Sequence, residues 1–341
     1  MLHVKEKTKT GLFSRLYGEK RAFLCPVFFA GGAFCKPETF IIACVATLRI
    51  QGFYERRNQP CTGGKMKPFT AIFLAAALAF GSVVPVSAHF MVVYTPEIAL
   101  GKIEGDTEMR IVFTHPAEAG HVMSIDSVQE FYAVHQRGES DPKSIDMKSL
   151  LQEVVWKNPE SSGSAFAASI PRKELRNAGD YSFVVTPGYY YEKDEDIYIQ
   201  QIAKLIINVG GMPGNWNEPL GLPCEIVPLI KPYALWTGNV FRAQVLSKGK
   251  PVPGAEVEIE YMNHMPDINS NSMSAKSTVT YPHSAFVAQT IIADDQGYIV
   301  FGIPRAGWWG FAALGVGPDT EYKGKKLSQD AVIWVKAVDM K

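Results

Sequence analysis

The fold class of this chain is decided by residues 240–262, VFRAQVLSKGKPVPGAEVEIEYM. Two short segments in it, 240–246 and 255–262, are rich in β-branched and aromatic residues, which is typical of strands. Lysine, glycine and proline between them, at 247–251, indicate a turn. Six more segments of this kind lie nearby: 224–230, 277–281, 287–293, 298–303, 307–314 and 331–338. Eight short strands separated by turns predict an antiparallel, immunoglobulin-like β-sandwich.

The preceding part of the chain predicts a second β domain. Its candidate strands are 90–93, 109–113, 128–135, 165–170, 179–187 and 197–209, with 148–156 as a short helix or strand. Residues 180–185 alternate in polarity, which predicts a half-buried edge strand. A segment rich in Gly, Pro and Asn follows at 210–219 and indicates a boundary. We therefore expect an all-β protein with two tandem antiparallel β-sandwich domains, 89–210 and 222–341, joined by a linker at 211–221.

A secretory signal precedes these domains. Lys65 and Lys67 are basic, residues 69–80 are apolar, and Val86-x-Ala88 supplies the small residues of a cleavage site. We predict that residues 66–88 are a signal peptide, that the mature protein begins at His89, and that it is periplasmic. Because a signal peptide begins its protein, we expect residues 1–65 to be a mis-assigned, disordered N-terminal extension.

Charge and cysteine content exclude some classes of function. Of the 34 basic and 34 acidic residues, 12 basic and 4 acidic ones precede position 89, which leaves 22 and 30 after it. The mature chain is thus acidic, and nothing in it favours binding to nucleic acid. Four of the 5 cysteines also precede position 89, so Cys224 has no partner for a disulfide. We expect Cys224 to be a packed thiol.

Histidines suggest a metal site. A mature N-terminal His89 would offer its α-amine and a ring nitrogen to one ion. His115 and His121 flank a loop that contains Pro116 and Gly120, at the end of a predicted strand. Amine and imidazole ligands suit Ni²⁺ and Co²⁺, and also Cu²⁺. The sequence therefore predicts His89, His115 and His121 as metal ligands.

Other candidate residues favour ordinary structural roles. We expect the three remaining histidines of the mature chain to be loop or strand-end residues: His135, His264 (near Met262 and Met265, which would suit Cu⁺) and His283. Glu118 would ligate or orient a histidine, although a solvated side chain is the commoner state. The acidic run 192–196 is interpreted as a solvated turn that could attract a cation. Trp308 and Trp309 are interpreted as packing residues rather than a sugar-binding pair.

Several motifs together resemble one family. They are His89-Phe90, Phe113-Thr114-His115-Pro116-x-Glu118, 235–241 (LWTGNVF), 249–257 (GKPVPGAEV), 294–297 (DDQG) and 307–309 (GWW). The pattern resembles an uncharacterised-domain family described as the periplasmic component of ABC-type cobalt/nickel transport systems. This chain has Thr114 where that family usually has Gly, and Ala117 where it has Phe. The resemblance implies capture or delivery of Ni²⁺ or Co²⁺ beside membrane transporter subunits, without catalysis.

Three other functions are alternatives to this one. A copper-dependent polysaccharide mono-oxygenase and a periplasmic copper carrier would both use a mature N-terminal histidine. A carbohydrate-binding or adhesive module would need none of the histidines. Motifs of common hydrolases and phosphate-binding enzymes (G-x-S-x-G, a phosphate loop, H-E-x-x-H) are absent from the sequence.

Overall fold

A computed structural model describes residues 89–341. The predicted extension and signal peptide, 1–65 and 66–88, lie outside the described residues. Within 89–341 the chain is nearly all β, which confirms the predicted fold class; helical structure is limited to α1 (Arg172–Leu175) and two single 3-10 turns, Lys148–Leu150 and Ser284–Phe286. No helix in this range has the length and apolar character that crossing a membrane requires.

The first half of the described chain contributes eleven strands. They are β1 (Phe90–Tyr94), β2 (Ala99–Leu100), β3 (Thr107–Thr114), β4 (Val122–Met123), β5 (Val128–Gln136), β6 (Lys143–Asp146), β7 (Leu151–Lys157), β8 (Ser162–Ile170), β9 (Gly179–Pro187), β10 (Tyr190–Glu192) and β11 (Ile197–Val209). The segment 148–156, left open between helix and strand, is therefore a 3-10 turn that leads into β7.

The second half contributes twelve strands. They are β12 (Cys224–Pro228), β13 (Leu235–Trp236), β14 (Val240–Ser247), β15 (Lys250–Pro251), β16 (Glu256–Tyr261), β17 (His264–Asp267), β18 (Ser272–Ser277), β19 (Ala288–Ile292), β20 (Tyr298–Gly302), β21 (Gly307–Ala313), β22 (Glu321–Tyr322) and β23 (Lys325–Val338). The stretch 240–262 thus forms β14, a turn and β16, as predicted.

These strands form three sheets. A seven-stranded sheet has the order β1-β3-β8-β7-β18-β17, with β4 beside β3. A four-stranded sheet has the order β12-β14-β15, with β20 beside β14. The largest sheet, of twelve strands, runs β19-β16-β21-β23-β11-β9-β5-β6, with β2 and β10 on β11 and with β13 and β22 on β23.

The large sheet carries a hydrophobic core on each of its faces. Successive side chains of a strand point to opposite faces, and β23 shows this clearly. Val332 and Trp334 join the core that contains Phe90 and most of the first half. Ile333 and Val335, between and after them, join the core that contains β12 and β14. A strand buried on both faces needs apolar residues at nearly every position, which explains the long apolar runs of β11 and β23.

Pairing between β11 and β23 corrects the expectation of purely antiparallel sheets. The two strands run parallel from Tyr198 opposite Leu327 to Leu205 opposite Trp334. A parallel pair needs a long crossover between its strands, and here the whole second half of the chain supplies it. The linker predicted at 211–221 does lie between β11 and β12. The division into domains 89–210 and 222–341 stays a prediction, and the large sheet is continuous across it.

The prediction of a half-buried edge strand at 180–185 is wrong. All nine residues of β9 are buried, because β9 lies between β5 and β11. Its polar side chains are tolerated inside since they have partners: Asp180 accepts hydrogen bonds from the Asn208 amide at 2.7 Å and from the Gly214 backbone N–H at 2.6 Å. In β9, polar and apolar side chains alternate along the sequence, but both kinds are buried.

Residues 262–281 also differ from expectation. The predicted strand 277–281 is displaced toward the N-terminus, and the observed strand β18 ends at Ser277. His264, expected in a loop or at a strand end, is the first residue of strand β17, which was not predicted. The pair β17–β18 is antiparallel with an irregular register between His264 and Pro266, which is why strand periodicity was hard to detect there.

Candidate metal centre

The register of two strands places His89 beside His115. β1 pairs antiparallel with β3, with Phe90 opposite Thr114. One residue further along that ladder, His89 comes opposite His115. Residues directly opposite each other have Cβ atoms about 5 Å apart, and the two imidazole ring centroids lie 4.7 Å apart at an interplanar angle of 57°. The structure therefore brings two of the three predicted ligands together.

The second half of the chain holds the loop that follows His115. Ala117 donates its backbone N–H to Glu260 at 3.1 Å, and its carbonyl accepts a hydrogen bond from Asn263 at 3.2 Å. The His264 backbone N–H donates to the Pro116 carbonyl at 3.4 Å. His115 itself is buried, with 7% of its surface exposed. The loop that follows His115 is therefore held by residues that lie more than 140 positions later in the sequence.

Gln201 on β11 forms hydrogen bonds with the backbone of His89 and Met91. The Gln201 side-chain oxygen accepts the Met91 backbone N–H at 2.7 Å, and its amide nitrogen donates to the His89 carbonyl at 2.7 Å. The same nitrogen donates to the buried Asp330 carboxylate at 3.2 Å. Burial raises the pKa of Asp330, while its hydrogen-bond donors and the nearby His89 act to lower it. Gln201 therefore fixes where residue 89 lies.

Glu192, at the end of β10, contacts the ring of His89. Its carboxylate lies 3.2 Å from Nε2 of His89. The side chain of Glu192 is 16% exposed and that of His89 is 20% exposed. The acidic run 192–196 was interpreted as a solvated turn, so sequence reasoning missed this contact. The only signal was the noted attraction of that run for a cation. A carboxylate that binds one ring nitrogen of a histidine fixes its tautomer and leaves the other nitrogen for a metal.

His121 is exposed. Its carbonyl accepts a hydrogen bond from the Thr114 hydroxyl at 3.0 Å, which fixes its backbone. Among residues 89–341, no three His, Cys, Asp or Glu side chains are already placed to hold one ion. The His89–His115 pair fits a borderline metal ion in chemistry. A third ligand would have to be His121 or the amine that the predicted cleavage would create at residue 89.

The other predicted residues have local roles. Nε2 of His135 donates to the Ala178 carbonyl at 3.2 Å, Nδ1 of His264 donates to the Ser274 carbonyl at 2.8 Å, and His283 accepts the Ala285 backbone N–H at 3.1 Å. Glu118 is exposed.

The predicted packing residues are confirmed. Cys224, Trp308 and Trp309 are at most 3% exposed and lie in the two cores. Burial raises the pKa of the Cys224 thiol, so this cysteine is a packing residue rather than a nucleophile.

The three histidines line one open cleft of about 1280 Å³. Four tyrosines line it with them: Tyr189, Tyr190, Tyr191 and Tyr198. Its charged side chains are Asp126, Glu192, Lys193, Asp194, Glu195 and Lys323. The cleft therefore combines an imidazole pair, an aromatic wall and an excess of carboxylates.

Comparisons with known proteins add a family but no activity. A family model described as "Domain of unknown function (DUF4198)" matches residues 86–317. No curated protein is significantly similar to the chain.

Solved structures that resemble the chain do so weakly. The D0-D1 domain of intimin is 12% identical, with 73% of this chain and 100% of that chain covered and a TM-score of 0.18. Escherichia coli alpha-2-macroglobulin activated by porcine elastase is 11% identical, with 74% of this chain and 23% of that chain covered and a TM-score of 0.19. The Bacillus anthracis TIE protein is 12% identical, with 81% and 45% covered and a TM-score of 0.17. The chain thus spans less than half the length of two of these proteins, and such TM-scores carry no inference about function.

Proposed function

The chain belongs to the DUF4198 family of domains of unknown function, and from that premise we propose that it is a periplasmic binding protein for Ni²⁺ or Co²⁺. The ion is cargo: the protein captures it and presents it to the subunits of a membrane metal transporter. The resemblance of the His89 and His115-Pro116 motifs to the cobalt/nickel transport family supports this role. No catalytic step is part of the proposal.

The observation that carries the proposal is the contact between His89 and His115. Two imidazoles 4.7 Å apart at the wall of a cleft are close enough to share an ion after small side-chain rotations. Imidazole nitrogen suits divalent Ni, Co, Cu and Zn. His121 lines the same cleft with an exposed side chain, and is the third imidazole of the proposal.

Signal-peptide cleavage adds the fourth nitrogen. The α-amine of a terminal His89 is separated from Nδ1 of the same residue by three carbon atoms, so both reach one ion. Glu192 contacts Nε2, the other ring nitrogen, so Nδ1 would be the nitrogen available to an ion. Gln201 holds the His89 carbonyl, so the amine and the ring start from a fixed backbone.

A titration of the mature protein with Ni²⁺ and Co²⁺ tests the proposal. His115→Ala should weaken binding at least about tenfold, because an imidazole ligand is lost. His135→Ala is the matched control, since His135 lies on β5, outside the cleft lining, and contacts the Ala178 carbonyl. Equal affinities of the wild type and both variants would contradict the proposal. Because nitrogen ligands bind Cu²⁺ more tightly than Ni²⁺ at most sites, only binding of Cu²⁺ with no binding of Ni²⁺ or Co²⁺ would point instead to copper carriage.

A further inference from the structure

The cleft beside the histidine pair is far larger than a metal ion requires. It measures about 1280 Å³, whereas pockets for drug-sized organic ligands measure roughly 300–1,000 Å³. We propose that the cleft binds the ion as a positively charged complex with a small, ring-bearing organic chelator, rather than as a bare ion. This inference rests on the proposed function and names the form in which its cargo arrives.

An aromatic wall begins directly at the histidine pair. The ring of Phe113 lies 5.9 Å from that of His89, and Tyr190 packs edge-on against Phe113 at 5.5 Å. Tyr190 is half-buried and also lines the cleft. A chelator bound to an ion at His89 would therefore lie against tyrosine rings, which offer flat apolar faces with a hydroxyl at one end.

The remainder of this wall is held in place by other rings. Tyr189 stacks on Tyr322 at 3.9 Å with an interplanar angle of 24°. Tyr198 meets Tyr322 edge-on at 4.9 Å. Because these rings pack on one another across β11 and β22, the wall is ordered before a ligand arrives, and little conformational entropy is lost on binding.

The charge of the cleft favours a positively charged metal complex over a negatively charged one. Four carboxylates line the cleft against two lysines, Lys193 and Lys323. Such an excess of negative charge attracts cations and repels anions. The one-to-one complex of Ni²⁺ with L-histidine is positively charged, carries a ring, and leaves coordination positions open for His89 and His115. A nickel–citrate complex is negatively charged and has no ring.

The experiment measures the dissociation constants of three probes by calorimetry: Ni²⁺ alone, preformed nickel–histidine and preformed nickel–citrate. We expect nickel–histidine to bind at least about tenfold more tightly than nickel–citrate. Tyr189→Ala should weaken nickel–histidine binding about five- to tenfold, the contribution of one aromatic contact, and leave the affinity for Ni²⁺ alone unchanged. Tyr298→Ala, which removes a half-buried tyrosine under Arg242, should change neither.

The outcomes separate this inference from the proposed function. If Ni²⁺ alone binds but nickel–histidine has no advantage over nickel–citrate, the chelate inference is wrong and the ion site stands. If Tyr189→Ala weakens both nickel forms equally, the aromatic wall acts only through the fold, and the inference is also wrong. If no nickel form binds the mature protein, the proposed function fails and this inference fails with it.

Discussion

Replacing Gln201 with leucine should weaken metal binding more than the same change at its neighbour. Gln201→Leu keeps the size of the side chain and removes three hydrogen bonds, to Met91, His89 and Asp330. Each net bond contributes about 0.5–1.5 kcal/mol, so we expect the free energy of unfolding to fall by about 2–4 kcal/mol. The two bonds to the segment at 89–91 also hold the proposed ligand in place.

The affinity for Ni²⁺ should fall when these two hydrogen bonds are lost. Losing about 1–2 kcal/mol of this preorganisation corresponds to a Kd about five- to thirtyfold higher for Ni²⁺. Calorimetric titration of the mature protein measures Kd, and urea unfolding measures stability. Gln200→Leu is the matched control. Gln200 is equally buried in β11 and bonds Pro187 and Gln329, so its loss should destabilise the protein without affecting residue 89.

A double-mutant cycle distinguishes positioning from general destabilisation. In a protein with one glycine added before His89, the terminal amine is displaced, and Gln201→Leu should then cost little further affinity. Such non-additivity is the signature of two changes that act on one group. Equal losses of affinity for the Gln201 and Gln200 variants, or additive losses in the cycle, would refute the reasoning.

Three further predictions follow from the site and its surroundings. Glu192→Ala should weaken Ni²⁺ binding about tenfold, because the ring of His89 loses its orienting carboxylate; Glu195→Ala, on the same cleft, serves as the charge control in the titration. Ni²⁺ affinity should fall as pH drops, because protons compete with the metal for imidazole and amine nitrogens, and metal titrations at several pH values measure this. Burial raises the pKa of Glu260 well above its usual value, so the folded state holds that proton more tightly than the unfolded state. Wild-type stability should therefore decline relative to Glu260→Gln as pH rises from about 5 to 8 in urea unfolding, and a difference independent of pH would contradict a protonated Glu260.

Local sequence patterns predicted most strands but not how they pair. The segments 179–187 and 197–209 match β9 and β11 at both ends, because alternating or apolar strand-forming runs bounded by turns are local signals. One parallel neighbour of β11 is β23, more than 100 residues later. No local pattern encodes such a pairing, so the shared large sheet could not be predicted.

The candidate site was also predicted only in part, because some of its residues are distant in sequence. His89 and His115 were found from the cleavage site and the His-Pro loop, and the β1–β3 register explains why they meet. Glu192 and Gln201 were missed, since they lie more than 100 residues from His89 in sequence. Paired glutamines inside the apolar run of β11 were the available signal: a buried amide must find hydrogen-bond partners, and Gln201 finds them at residues 89 and 91.

The central claim, that a freed amine at His89 joins the imidazoles in binding an ion, is tested most directly by one pair of titrations. The affinity of protein beginning at His89 for Ni²⁺ is compared with that of protein carrying a single added glycine before it. The account predicts that the added residue raises the Kd at least about tenfold, since a ligand atom is lost while the fold is unchanged. Identical Kd values for the two proteins would contradict it.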